Sequence, residues 1–353
     1  MKPHPLRCLF FFLLTIATFP CLAKIETVYI DDIYNIDTES ATASVAMQNP
    51  IAQTPNVPIA IIPESVTSKS VTYPVVALED NAFYNCSKLT KVVIHNSVVF
   101  IGKGALRYCP SLVDVTLPDN LNSLSEDMFD GCTALETIDL PNNIKLIPEF
   151  TFSYCESLKS IVIPDGVETI GSQAFAHTYR LSSITIPSSL KEINSTLSDA
   201  WYPLIPTIHI SDLNAFCDID TQHDRLCGNN CWYLYLNGEE VTDIKIPEGT
   251  ENIEIWNRCE SLKSITTPNS VTNCGFDNSY LSFIYMSSST QEVSITGIED
   301  YNLKRVDIYA LDPPKLTTSD WQVSEAVLHV PVGEKMCTRT MKNGQYSLLL
   351  LMI

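Results

Sequence analysis

The chain has 353 residues, 45% of them hydrophobic, and carries 41 acidic against 22 basic side chains for a formal net charge of -19. Such a composition can bury a large core and is not that of a disordered chain. Its negative charge repels nucleic acid and anionic lipid, which excludes both as partners. The first 23 residues read as a cleavable signal peptide: Lys2 and Arg7 are basic, residues 8–19 are an apolar run, and Ala23 is a small residue at the cleavage site. Removing Lys2 and Arg7 takes two positive charges from -19 and leaves the exported chain at -21. Pro20 precedes Cys21 where lipid attachment requires a small residue, which favours secretion over a lipid anchor. Residues 24–56 are predicted to form an N-terminal β cap, with a hairpin over 27–47 turning at Asp37-Thr38-Glu39.

A solenoid is predicted over 57–335, opening with an irregular coil at Val57-Ala60-Ile62-Pro63. Its regular part, 81–195, repeats every 23 residues. Cys86, Cys109, Cys132 and Cys155 fall one period apart, as do Leu89, Leu112, Leu135, Leu158 and Leu181, and the column Phe83, Leu106, Phe129, Phe152 and Phe175. Keeping a few apolar positions while varying the rest is the mark of coils that bury one continuous core by stacking. Alternation at Val92 and Ile94, Ile138 and Leu140, or Ile184 and Ile186 predicts one inward-facing strand per coil. Pro118, Pro141, Pro164 and Pro187 end those strands, because proline donates no ladder bond. A turn and a short tight helical piece around Ala82-Phe83, Ala105-Leu106 and Ala174-Phe175 returns the chain to the next coil.

The strand pattern continues at Ile205-Ile208-Ile210, interrupts over an irregular stretch at 211–240, and resumes in degenerate repeats over 241–310. Counting these gives ten coils, with a parallel strand in each and short helical or 3-10 returns. No later apolar run reaches the ~20 residues of a membrane-spanning helix. Residues 336–353 are an atypical tail whose LLLLMI ending is either a terminal strand or a ragged end.

Three stretches carry a family resemblance: Asn81-Ala82-Phe83-Tyr84-Asn85-Cys86-Ser87-Lys88-Leu89, the recurring Cys-x-x-Leu-x-x-Ile-x-Ile-Pro, and residues 234–243. Over 57–335 the chain resembles the BspA-like leucine-rich repeat proteins of Bacteroides-type bacteria. The resemblance implies an exported, usually surface-associated protein, with members implicated in adhesion to host matrix proteins or other cells. It implies no catalytic residues. Two features depart from the family: Thr178 stands where the next cysteine belongs, and the tail after Gly333 lacks the expected aromatic and charged ending.

Candidate chemistry is sparse. The cysteine column reads as buried, reduced thiols acting as small hydrophobes, since parallel side chains fit neither disulfide nor tetrahedral zinc geometry. In the irregular stretch, Cys217, Cys227 and Cys231 lie near His209 and His223, leaving open a disulfide or, less favoured by the spacing, a metal site. Asp218, Asp220 and Asp224 lack the glycine and closing glutamate of a calcium loop. No nucleophile elbow, His-Glu-x-x-His or phosphate loop occurs, so the chain is read as non-enzymatic, without metal or cofactor.

Alternation then predicts two outward columns on the strand face. Their later half gathers His209, Lys245, Phe283, Tyr285 and Arg305, side-chain types rich in binding anchors, and these five are the candidate partner-binding residues. The expected partner is an extracellular or cell-surface protein, host matrix included, and the expected function is protein–protein or cell-surface interaction in the form of adhesion. The alternatives are a structural envelope component and, further off, an extracellular enzyme or glycan-processing accessory.

Overall fold

Apolar residues set two apart decide which way each coil faces. The computed structural model describes residues 34–37, 39–45, 58–68, 70–194, 206–221, 226, 232–251, 253, 256, 258–277, 280–296, 303–310, 315–317, 327–330 and 350–352. In it Val92 and Ile94, Ile161 and Ile163, Ile184 and Ile186, and Ile208 and Ile210 are buried, with exposed or half-buried residues between them. The described residues make about nine turns of a parallel-strand solenoid, and their only α-helix is the five-residue Leu213–Cys217. They divide into two compact units, 1–159 with 173–180 and 160–172 with 181–353. The predicted signal peptide lies outside the described residues.

In the first unit, Tyr34–Asp37 and Thr42–Val45 form the predicted hairpin, whose turn is held by Asp37 Oδ1 accepting from the backbone of Glu39 at 2.9 Å and Ser40 at 3.3 Å. Thr42–Val45 then pairs in parallel with Val71–Leu78, which pairs with Phe100–Ile101. Much of 24–56 lies outside the described residues, so its capping role stays an expectation. On the strand face Ile59–Ile62, Lys91–Ile94 and Asp114–Thr116 stack in parallel. The strand predicted at Ile138 and Leu140 is a correction: 137–140 is not strand, and Leu140 is only half-buried, although Ile138 is buried.

The returns carry the local bonds expected of a tight helical piece, but only at every second residue. Ala82, Tyr84 and Cys86 donate three residues back, to Glu79, Asn81 and Phe83, at 3.2, 3.0 and 3.4 Å. The amides between them, Asn81, Phe83 and Asn85, donate instead to Lys103, Ala105 and Arg107 of the next coil at 2.9, 2.7 and 2.8 Å. Turning alternate amides outward takes two left-handed residues per coil. One set is Asn81, Gly104, Asp127, Phe150 and Gln173, the other Asn85, Tyr108, Gly131, Tyr154 and His177, all with φ between 53° and 75°. Holding Phe150 or Tyr154 there costs about 1–2 kcal/mol each, which stacking outweighs. Inside, Phe152 lies between Phe129 and Phe175, ring centroids 5.5 Å apart on both sides and planes within 6° and 9° of parallel.

The second unit repeats the plan. Ser160–Val162, Ser183–Ile186, Thr207–Ile210 and Tyr233–Leu236 pair in parallel, and Glu239–Glu240 folds back on the last of them. Tyr233–Leu236 lies inside the stretch read as irregular from sequence, so the coil resumes earlier than predicted. A further sheet runs through Asp243–Lys245, Ser264–Thr266, Phe283–Met286, Arg305–Ile308, Val327–Val330 and Leu350–Met352. The tail's apolar ending is thus a terminal strand. Also in this unit Phe216, Trp232 and Trp256 form a buried aromatic cluster, with ring centroids 5.6 to 6.3 Å apart.

Candidate functional site

All five candidate residues lie on strands of the second unit, where burial of every second side chain turns the others outward. His209 sits in register between Thr185 and Tyr235, its ring centroid 5.2 Å from that of Tyr235. Phe283 and Tyr285 share one strand and flank the buried Ile284. Phe283 is in register with Ser264 and Arg305, and Tyr285 with Thr266 and Asp307. Lys245 is exposed and two strands from Tyr285, opposite Thr266. The fold therefore groups Lys245, Phe283, Tyr285 and Arg305 on one sheet, whereas His209 belongs to a different sheet with Tyr235.

One residue at an outward position, Asp307, behaves otherwise than alternation predicts. Asp307 is 3% exposed, because Arg305 Nε donates to both its carboxylate oxygens at 2.8 and 3.0 Å. That bond raises the guanidinium's pKa further, so Arg305 is permanently charged and already partnered, leaving the aromatic pair as the better anchors. Tyr235 was missed because the insertion at 211–240 breaks the repeat's spacing; the alternation Leu234-Tyr235-Leu236 was its available signal.

The cysteine column is built into the core, and its role is more specific than packing. Cys109, Cys132 and Cys155 donate their thiols to the carbonyls of Phe83, Leu106 and Phe129 at 3.1, 3.2 and 3.3 Å, each acceptor 26 residues earlier and one coil away. Thr178 is buried in the same column and donates within its own coil, to Phe175 O at 2.7 Å. Burial pushes the Cys132 thiol up to about 12 and Cys155 well above the usual range. Cys217 is also buried, and burial raises it to about 12, which disfavours the thiolate a nucleophile or metal ligand needs. His223, Asp224, Cys227 and Cys231 lie outside the described residues. Among the described residues no group of three His, Cys, Asp or Glu side chains is placed to hold a metal, and no helix is long and apolar enough to cross a membrane.

The family model described as "BspA type Leucine rich repeat region" matches six copies, over residues 76–198 and 230–315. None of the curated proteins matches. Solved structures similar to this chain include a leucine rich cell surface protein from Faecalibacterium prausnitzii, 21% identical over 85% of this chain and 96% of that one with a TM-score of 0.44. A leucine-rich repeat protein from Bacteroides ovatus is 18% identical over 87% and 95%, TM-score 0.42. The leucine-rich repeat protein of T. pallidum is 23% identical over 53% and 87%, TM-score 0.41.

Proposed function

Because this chain belongs to the BspA-type leucine-rich repeat family, we propose that it is exported and works at the cell surface as a non-enzymatic adhesin, binding an extracellular or cell-surface protein. Repeat proteins of this kind are consistent with protein–protein interaction, since stacked coils present long regular surfaces. The observation that supports a particular surface is the outward set Lys245, Phe283 and Tyr285 flanking the buried row of Ile244, Ile265, Ile284 and Val306, with His209 against Tyr235 on another sheet of the same unit. Half-exposed aromatic side chains fixed on strands lose little freedom on binding and offer large contact area.

The test combines a surface-accessibility assay on whole cells with attachment of the purified chain to immobilised extracellular matrix proteins. Changing Lys245, Phe283 and Tyr285 together to Ala should weaken attachment at least about tenfold, taking about 1–2 kcal/mol for one lost anchor. Ser183→Ala with Thr185→Ala, small outward residues of the same unit, should change it less than about twofold. Equal effects from the two variants, or none from either, would refute this surface; a protein never accessible on cells would refute the adhesin reading.

A further inference from the structure

In the first unit the main-chain ladder of the strand face opens between two successive coils. Up to that point it is continuous: Lys91–Ile94 pairs with Asp114–Thr116, and Val113 and Asp114 both donate to Thr90 O at 2.9 and 3.1 Å. The next coil has the apolar pattern of a strand, yet 137–140 makes no main-chain hydrogen bond to 114–117, every one of these residues being described. The nearest bonds bracket the opening: Thr133 Oγ1 to Pro110 O at 3.2 Å at one end, and Asn143 Nδ2 to Asp119 O at 3.5 Å at the other. Between the walls, 115–119 and 139–142, lies a cleft of about 220 Å³.

Three properties define what it accepts. Amide and carbonyl groups without partners are costly to leave unmatched and form bonds wherever geometry allows. The volume is below the roughly 300–1,000 Å³ of a compact small-molecule site, and suits the narrow cross-section of an extended chain. The charged side chains of the walls are both acidic: Asp119, which is exposed and whose carboxylate accepts only from the Asn96 side-chain amide at 3.1 Å, and Asp139, which is exposed and whose carboxylate has no partner among the described residues. On the same two coils the neighbouring carboxylates Asp114 and Glu136 are instead paired with lysines of the coils on either side, Lys91 at 2.6 Å and Lys159 at 2.5 Å. We propose that this cleft binds an extended basic segment of a protein partner, whose main chain pairs with the open strand edges while a lysine or arginine meets Asp139 and Asp119. Strand addition of this kind draws affinity from main-chain bonds and selectivity from side-chain contacts. The site is separate from the later strand face and does not rest on it.

The mature chain is titrated with the peptide acetyl-Lys-Val-Lys-Val-Lys-amide, the same peptide N-methylated at alternate residues, and its Glu-for-Lys counterpart. Hydrogen exchange of 137–140 should be fast in the free chain and slowed by the first peptide. N-methylation keeps the charge and removes main-chain donors, so it should weaken binding at least about tenfold, or about 1.4 kcal/mol, and the Glu peptide should not bind. Asp139→Lys should weaken binding similarly, with Asp139→Asn intermediate as a second variant should the lysine disturb the fold. The Lys245, Phe283 and Tyr285 variant should bind the peptide normally, which separates failure here from failure of the adhesion surface. Protected amides in the free chain, equal binding of the N-methylated peptide, or no saturable binding would each overturn the proposal.

Discussion

Phe152 is the residue through which the stacking energy of the first unit is best measured. Truncation to Ala removes a fully buried ring and leaves a cavity, for which about 3–5 kcal/mol is expected. Leu fills much of that volume, and the repeat itself uses Leu106 in this column, so Phe152→Leu isolates the ring contacts. With Phe129 and Phe175 both 5.5 Å away and nearly parallel, two aromatic pairs are lost at about 0.5–1.5 kcal/mol each, giving about 1–3 kcal/mol. Tyr154→Ala, at an exposed position two residues on, removes an aromatic of similar size and should cost less than Phe152→Ala. Urea unfolding followed by circular dichroism and by amide exchange in the first unit would read all three. If Phe152→Leu cost less than about 0.5 kcal/mol, or if Phe152→Ala matched Tyr154→Ala, the ring column would not be what binds one coil to the next.

Gly131→Ala should destabilise by about 1–2 kcal/mol from its φ of 75°, and by more because its Cβ would meet Tyr108 Cδ1 at 2.3 Å; thermal unfolding equal to the parent would contradict this. Native-state thiol labelling should spare Cys86, Cys109, Cys132 and Cys155, all of them buried, and rapid modification would refute a shielded column. Stability should fall in alkali: a thiol raised to about 12 by burial, as in Cys132 and Cys259, holds its proton in the native chain while the unfolded thiol releases it near pH 8.5. Its contribution is complete below about pH 8.5 and is lost as pH rises toward 12, on the order of 1 kcal/mol per pH unit per thiol. Cys132→Ala should flatten that slope in pH-dependent urea unfolding, and an unchanged slope would refute the assignment.

The coil architecture was readable because burial follows simple periods: two residues within a strand, 23 between coils. Those periods place Ile184, Phe152 and Cys132 inside without reference to anything distant. They are silent on main-chain bonding, which is why Ile138 and Leu140 read as a strand where the ladder is open. They also miss interactions that override direction, as when Arg305 draws Asp307 into burial two residues away. The candidate surface was legible as a column, but its membership was not, because an insertion shifted Tyr235 out of the repeat's spacing. The two left-handed residues per coil were hidden too, since Gly104 and Gly131 alternate there with Asp127, Phe150 and Tyr154, side chains that give no conformational signal.

The thiol bonds also bear on how such a chain changes over generations. Cys109, Cys132 and Cys155 each find their acceptor at the same offset of 26 residues, counted along the chain rather than fixed to one partner. Excising or duplicating one 23-residue block among them would set the same donor before an equivalent carbonyl, and the phenylalanine column would close up or lengthen in step. Unequal recombination between repeats therefore alters copy number without requiring compensating substitutions at the new junction. Thr178, which bonds inside its own coil, marks where that interchangeability stops.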